Sequence, residues 1–411
     1  MINKNKLALY GGNKEIKKLP NRFLYTNDEK REINFLINSS IRTGIPFRYA
    51  EKYEEKYTKL FTKFMGGGYA DAVNSGTNAL FSIIGALDIP PGSEIIVPIM
   101  TDVGGVSPII FWGCKPIICD VAANSFNVSL NEIKRKITNK TRAVIAVHIG
   151  GEPVNIVPIK KFLKKRNIYL IEDCSQSHGA KIGNRRIGTF GDISFFSTMS
   201  SKLHSTGGQG GLIYSRKKKF INLTKSISDR GKVFKSKNFS GKYDYLGINS
   251  NLDELSAAIG SVQVKKLSGI IKKTHRLGEY MKVNLLNKSK LMKVAVQIPN
   301  SSCVYWFIRI HLDVNNISVS KKNFCKALIA EGIPLAERYD YNPFKYKWYT
   351  SNKVKALLRN HKLSIDRNTN QKNYQNSMKS NFVIFIRESF SKSDIDLIIK
   401  ALIKVERAFI K

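Results

Sequence analysis

The chain has 411 residues, 42% of them hydrophobic, enough to bury a core in each of two domains, and 68 lysines and arginines against 31 acidic residues give a formal net charge of +37. Five cysteines (Cys114, Cys119, Cys174, Cys303 and Cys325) with no C-x-x-C pair argue against a disulfide framework or a zinc site and for a reducing compartment. With no run of about 18 apolar residues to span a membrane, and an N-terminus from Met1 to Gly12 that carries Lys4 and Lys6 and no apolar signal core, a soluble cytoplasmic protein is expected.

The excess lysines run from end to end among Asn and Ile residues. A nucleic-acid footprint is clustered, so this spread argues against a nucleic-acid partner. The positive field still favours an anionic substrate, such as a nucleotide-linked one.

In chain order, residues 1–30 read as an arm, and charged helix-favouring segments such as 51–56 follow until Gly66-Gly67-Gly68 stops them. Residues 69–74 predict a short strand, ended by Ser75-Gly76-Thr77-Asn78 and a periodic apolar run over 79–87. A small-residue turn that opens a helix presents free N–H groups and the positive end of the dipole, so Ser75, Gly76 and Thr77 form a candidate phosphate cradle. The same turn also fits a simple Ser or Thr N-cap. Strands at 94–98, 116–119, 143–148 and 169–172 then alternate with helical segments near 110, 130–137 and 156–166. Continuous apolar strands separated by helices imply an α/β fold with a mainly parallel sheet, whose ligands sit at the carboxyl ends of the strands.

At one such end lies Glu172-Asp173-Cys174-Ser175-Gln176-Ser177-His178. Neighbouring strand residues point to opposite faces, so Glu172 and Asp173 cannot act as a carboxylate pair. Asp173 suits holding a proton on a heteroaromatic nitrogen, or else capping the next helix. His178 has no second His or Cys at metal-ligand spacing and is not read as a ligand.

The next stretch, Ser194-Phe195-Phe196-Ser197 through Lys202 to Gly207-Gly208-Gln209-Gly210-Gly211, breaks from a strand into small polar residues around one lysine. Such a lysine reads as a Schiff-base residue, because desolvation lowers its pKa toward the neutral, nucleophilic form. The glycines let backbone approach the same site. Residues 247–264 open a long helix with small residues suited to close packing. Apolar segments at 303–312 and 382–386 predict strands of a second, α+β domain, and 393–410 its closing helix, with Ile395, Ile398, Ile399, Leu402, Val405 and Phe409 on one face. Residues 345–380, rich in Lys and Asn, read as a mobile or solvent-facing connection.

Four ordered blocks carry a family resemblance: Asn74-Ser75-Gly76-Thr77-Asn78-Ala79-Leu80, Glu172-Asp173-Cys174-Ser175-Gln176, Gly191-Asp192 through Lys202 and its glycines, and Gly247-Ile248-Asn249 through Glu254 to Gly260. Together they resemble the DegT/DnrJ/EryC1/StrS family of pyridoxal-phosphate-dependent aminotransferases. The resemblance implies the aspartate-aminotransferase-like fold type I, an α/β large domain with a seven-stranded-type sheet plus a smaller α+β domain. The boundaries expected are an arm at 1–30, a large cofactor-binding domain at 31–265, and a small domain at 266–411 that includes the linking helix.

By that resemblance Lys202 forms the internal aldimine with pyridoxal 5'-phosphate and moves the proton, with pyridoxamine phosphate as intermediate. Asp173 pairs with the pyridine nitrogen and Gln176 lies near the ring hydroxyl. Ser75, Gly76, Thr77 and Ser197 bind the phosphate, and Asn249 reaches it from the partner subunit of a homodimer with shared sites. The implied activity moves an amino group from an amino acid, L-glutamate, to a keto-sugar, nucleotide-linked, in amino-sugar, surface-polysaccharide or antibiotic biosynthesis. Two alternatives stand beside it: a sugar dehydratase of the same family, which carries His in place of the lysine, with His204 two positions away here, and a non-catalytic regulatory or nucleic-acid-binding protein on this fold. This chain departs from the family pattern at Asp102, where many relatives stack an aromatic residue, at Gln209 in place of Glu, and at Asn251 in place of an Arg.

Overall fold

Near-continuous apolar strands have to be covered on both faces, and the chain does this around one sheet. A computed structural model describes residues 6–22, 24–235, 238–295, 297–367 and 371–411; Lys4 lies outside the described residues. Helices α1 (Asn27–Thr43) and α2 (Lys52–Met65) precede β1 (Tyr69–Val73), α3 (Gly76–Ala86), β2 (Glu94–Pro98), α4 (Ser107–Phe111), β3 (Lys115–Cys119), α5 (Leu130–Lys134), β4 (Thr141–Val147), α6 (Ile156–Lys164) and β5 (Tyr169–Asp173). The short β6 (Lys181–Ile182) and β7 (Arg185–Arg186) lead to β8 (Ile193–Ser197), β9 (Gly211–Ser215), α7 (Lys218–Ser228), the antiparallel pair β10 (Lys232–Lys235) and β11 (Asn238–Tyr243), and the long α8 (Glu254–Lys288). The remainder is β12 (Met292–Val294), β13 (Ser301–Ser302), β14 (Ile308–Leu312), α9 (Lys321–Ala330), β15 (Leu335–Ala336), α10 (Asn352–Arg359), α11 (Lys372–Ser380), β16 (Asn381–Ile384) and α12 (Lys392–Phe409). Among the described residues no helix is long and apolar enough to cross a membrane.

Seven strands line up in the order β1-β9-β8-β5-β4-β2-β3. Neighbours from β8 to β3 are parallel, and β9 runs against both β8 and β1. The carboxyl ends of β1, β2, β4, β5 and β8 therefore share one edge, and β9 starts there. Gly211, the first residue of β9, pairs with Val73 on one side and Ser197 on the other. A Cβ on Gly211 would lie 2.6 Å from the Ser75 carbonyl oxygen, so only glycine lets the turn after β1 close against β8.

Alternate strand residues feed two cores. Ile95, Val97, Ile145, Ile171 and Ile193 join one face, and Ile96, Val144, Leu170, Phe196 and Leu212 the other, where Tyr57 and Phe61 of α2 and Ala257 and Ala258 of α8 cover them. Full burial of one such aliphatic side chain contributes about 1.5–3 kcal/mol.

A third core holds the C-terminal antiparallel sheet, ordered β12-β14-β16-β15, against Leu277, Met281 and Leu285 of α8 and the apolar face of α12. Helix α12 starts with a Ser391–Asp394 capping box and buries the six residues that its spacing predicts. Helix α8 packs on α2 with its first turns and on this sheet with its last, so position 265/266 falls inside one continuous helix. Of the arm, Leu7 and Ile16 are buried in the third core, and the buried Glu331 carboxylate accepts the Ala8 and Glu15 N–H groups at 2.8 and 3.0 Å.

Residues 345–380 depart from the solvent-facing connection expected of them. Among their described residues Tyr349, Val354, Leu358, Tyr374 and Met378 are buried in the first core of the large sheet. The segment covers the edge strand β3, where Asp366 accepts the Ile118 N–H at 2.9 Å and Asp120 accepts those of Asn373 and Tyr374 at 2.9 and 3.0 Å. Polar groups on a sheet edge need such partners. The apolar residues are spaced irregularly among lysines, which hid their common face.

The two parts of the chain are also joined by a buried ion pair. Arg309 of β14 donates to both carboxylate oxygens of Glu152 (3.2 and 2.9 Å) and to the Asn124 carbonyl (2.8 Å), with its guanidinium over the Phe126 ring. Removing one member of a buried pair strands the other charge, at a cost of about 3–5 kcal/mol. Glu152→Ala is therefore expected to lower unfolding stability by that amount in denaturant titration, and adding Arg309→Met to it should recover part of the loss.

Candidate functional site

Beyond β8 the backbone leaves the ladder in a series of turns, and Lys202 sits in them, 8% exposed, with its N–H donated to the Met199 carbonyl at 2.9 Å. Its Nζ lies 4.5 Å from the centre of the Trp306 ring. Desolvation pushes the amine below the usual lysine range, while the charges of Asp173 and Asp102 draw it back up. The result is an amine screened from water but within electrostatic reach of two carboxylates.

Asp173 ends β5 and is buried. Burial raises its carboxyl pKa, opposed by hydrogen bonds from Ser175, whose N–H donates to Oδ1 at 2.9 Å, and by the charge of Lys202. Glu172 faces the other way, as strand alternation requires: its carboxylate accepts the Gly188 and Phe190 N–H groups at 2.9 and 2.8 Å, with Nε2 of His148 at 3.2 Å. Nδ1 of His148 accepts the Val154 N–H at 2.9 Å, which puts the ring proton on Nε2, facing Glu172. His148, Glu172 and Cys174 come close enough together to suggest a metal site. The His148 ring nitrogens and the Glu172 carboxylate are already engaged in these bonds, and burial pushes the Cys174 thiol well up, away from the thiolate that a metal binds, so the cluster reads as a structural network.

Gln176 is fixed at both ends: Oε1 accepts the Gly150 N–H at 2.8 Å and Nε2 donates to the Tyr339 hydroxyl at 3.0 Å. Gly150 has φ +67°, and a Cβ there would lie 2.4 Å from the Phe307 ring, so the turn after β4 requires glycine. Tyr339 packs its ring on Phe307 and Tyr341 with centres 4.5 and 4.6 Å apart.

Ser75 is the N-cap of α3, its Oγ accepting the Asn78 N–H at 3.1 Å. The cap reading of this turn is thus realised, and the cradle reading survives with it: the Oγ–H remains a donor, and the N–H groups of Gly76 and Thr77, in the first helical turn, have no intrahelical partner. Ser197 packs against this turn: a Cβ on Gly76 would lie 3.0 Å from its Cβ, and its N–H donates to Ser175 Oγ at 3.1 Å. Ser75, Gly76, Thr77 and Ser197 thus meet at one edge with Asp173, Gln176 and Lys202.

Asn249 stands apart. It is exposed, accepts the Asn251 side-chain amide at 3.1 Å and bridges to Asp229 through the backbone. Asn251 pairs with Val73 at the end of β1. Asp102, exposed, caps the short turn after β2 by accepting the Gly104 N–H at 2.8 Å. With Thr101, Val103, Asp340, Tyr341 and Tyr346 it lines a cavity of about 400 Å³. Gln209 is exposed, its carbonyl accepting from Thr206.

His204, two positions from Lys202, points away from the open edge into the second core. Its Nε2 lies 2.8 Å from the Tyr57 hydroxyl, its ring centre 4.9 Å from that of His178, and burial drives its pKa down to about 3. Both imidazoles are neutral packing groups. Trp306 and Tyr339 were not singled out from sequence: one lies inside an apolar strand-like run and the other 163 residues from Gln176, and neither position carries a local signal.

A buried lysine within electrostatic reach of a buried aspartate at the carboxyl edge of a mixed seven-stranded sheet, with a four-stranded α+β unit beside it, fits the aspartate-aminotransferase-like fold type I architecture. Its likeness to an aminotransferase from Psychrobacter cryohalolentis has a TM-score of 0.84 at 21% identity, covering 95% of this chain and 99% of that one. A GDP-4-keto-6-deoxymannose-3-dehydratase structure with a trapped PLP–glutamate geminal diamine superposes with a TM-score of 0.79 at 23% identity, over 94% of this chain and 100% of that one. The chain belongs to the DegT/DnrJ/EryC1/StrS aminotransferase family, which it matches over residues 27–372. It is also similar to the GDP-perosamine synthase of Escherichia coli O157:H7, 32% identical over 246 residues, 59% of this chain and 65% of that protein, so the match spans just under two thirds of the relative's length.

The opposing influences on Lys202 yield a signed expectation. Asp102 favours the ammonium form, so Asp102→Asn should make the amine lose its proton at lower pH. The pH profile of Lys202 trapping by a small aldehyde and borohydride, followed by peptide mass, is expected to move down; a profile that stays or moves up contradicts the electrostatic reading.

Proposed function

We propose that this chain binds pyridoxal 5'-phosphate and transfers an amino group from an amino acid, L-glutamate, to a keto-sugar, nucleotide-linked, in amino-sugar or surface-polysaccharide synthesis. The observation that carries the reading is the buried Lys202 amine within electrostatic reach of the buried Asp173 carboxylate at the carboxyl ends of the strands.

The residues fit the cofactor's three chemical parts. A buried carboxylate next to a cation suits a protonated ring nitrogen. An amide locked at both ends suits a ring hydroxyl. The helix start at Ser75, Gly76 and Thr77, closed against Ser197 through Gly211, suits a phosphate. When bound, the cofactor supplies an aldehyde carbon and a ring that withdraws electrons from it.

Lys202 would act through Nζ, first as the nucleophile at that carbon and then, once a substrate amine has displaced it, as the base that carries a proton between substrate and cofactor carbons. Its desolvation favours the neutral amine. Asp173 would hold the ring proton and so keep the ring cationic. Gln176 orients, and Trp306 excludes water over the amine. The exposed positions of Asn249 and of Tyr243, Tyr245 and Leu246 beside it, with Phe35, Ile41 and Ile45 on and after α1, support a homodimer in which Asn249 completes the partner's phosphate site. The reading also keeps the expected division into an arm (1–30), a large domain (31–265) and a small domain (266–411). For the acceptor, the cavity beside Asp102 supports a hydroxyl-bearing ring, which the carboxylate would accept bonds from.

The dehydratase alternative needs His at the lysine position. Here the lysine is at the site and His204 is bonded to Tyr57. Nothing in the spread of lysines favours the nucleic-acid alternative.

Lys202→Ala should retain its fold by circular dichroism and lose glutamate-dependent amination of keto-sugar nucleotides by roughly 10²–10⁴-fold or more. Unchanged turnover would remove Lys202 from the reaction.

A further inference from the structure

The turns that carry Lys202 have few ladder bonds of their own, and the N-terminal arm supplies the missing contacts. Arg22 Nη1 donates to the Ser201 carbonyl at 2.8 Å and Nη2 to the Lys202 carbonyl at 2.6 Å, while Nε donates to Glu388 at 2.8 Å. Glu388 follows β16 in the C-terminal part, and the pair is largely shielded, with side chains 20% and 14% exposed. Three residues on, the Tyr25 hydroxyl lies 3.0 Å from Ser205 Oγ and donates to the Gly207 carbonyl at 3.0 Å. The Leu24 carbonyl between them is held by Gln263 of α8 at 2.8 Å. From the opposite side Trp306 Nε1 donates to the Ser201 carbonyl at 3.1 Å while its ring covers the lysine amine. The lysine loop is thus clamped at Ser201–Lys202 and again at Ser205–Gly207 by residues of the arm.

We infer that Arg22, steadied by Glu388, is a positioning residue for Lys202: its fork holds two consecutive carbonyls and fixes the direction in which the lysine side chain leaves the loop. The geometry needs arginine. A planar guanidinium can serve Glu388 with Nε and both carbonyls with its two terminal nitrogens at once, whereas a lysine ammonium is a single point that cannot span all three. Charge-assisted bonds of this kind are about twice as strong as neutral ones. The contact also couples the arm, the lysine loop and the C-terminal part through one side chain, so the lysine is set only when the arm lies in place. Tyr25 anchors the far end of the loop and leaves Lys202 itself to Arg22.

This inference rests on Lys202 as the residue that captures the cofactor. The test follows covalent capture of added pyridoxal 5'-phosphate by the apoprotein, quenched with borohydride and read by mass on the Lys202 peptide, for the wild type, Arg22→Met, Arg22→Lys and Glu388→Gln. Because small misplacements of reacting groups slow bond formation steeply, Arg22→Met should capture roughly tenfold or more slowly. Its capture profile should also shift to higher pH, since a loosened loop admits water and relieves the desolvation that lowers the amine's pKa. Arg22→Lys should restore only part of the rate. Glu388→Gln, which keeps the fork and its carbonyls, should lie between wild type and Arg22→Met. A purely structural role would lower the thermal midpoint of Arg22→Met and leave the pH profile where it was. Wild-type rate and profile in Arg22→Met overturn the inference. Failure of the wild type to capture the cofactor on Lys202 overturns the functional reading beneath it, and the two failures are distinguished by the wild-type control.

Discussion

Burying a lysine and an aspartate in one site is the constraint from which the rest of this structure follows. Each charge alone is costly to desolvate, and each is tolerable because the other is near: the charge of Lys202 opposes the burial that raises the Asp173 pKa, and Asp173 opposes the burial that lowers that of Lys202. The balance leaves an amine that is neither a surface ammonium nor an inert apolar group. Trp306 over Nζ and the clamp of Arg22 on the loop backbone preserve that balance by keeping water out and the loop in place.

The sheet delivers the two groups by register. Parallel pairing of β5 with β8 sets Asp173 beside Phe195, two residues before Ser197 and the turns that carry Lys202. The reversed strand β9 then brings Gly211 between β1 and β8, which pulls the start of α3 against Ser197. The candidate phosphate cradle at the start of α3 and the turns that carry Lys202 thereby share an edge through backbone geometry, and Gly211 serves this closure.

Much of this was legible because it is local. Apolar strands of five residues, the Ser75 turn and the alternation of Glu172 and Asp173 are written in short windows, and the structure realises them within a residue or two. Lys202 was legible only through its neighbours, since lysine is common everywhere in the chain. What escaped depends on long-range packing: Tyr339 reaching Gln176, Trp306 covering Nζ, Arg22 reaching across 180 residues to the Lys202 carbonyl. The segment 345–380 escaped because its buried aromatics are diluted by lysines that face water. The departure from the family pattern at Asp102 has a physical sense in the structure, a carboxylate beside a cavity whose charge is felt by the Lys202 amine.

The proposed chemistry turns on one nitrogen, Nζ of Lys202. Loading the apoprotein with pyridoxal 5'-phosphate, reducing with borohydride and mapping peptides by mass tests it most directly. A single phosphopyridoxyl group, on Lys202, is expected. A reduced adduct spread over surface lysines, or one centred on another lysine, would contradict it.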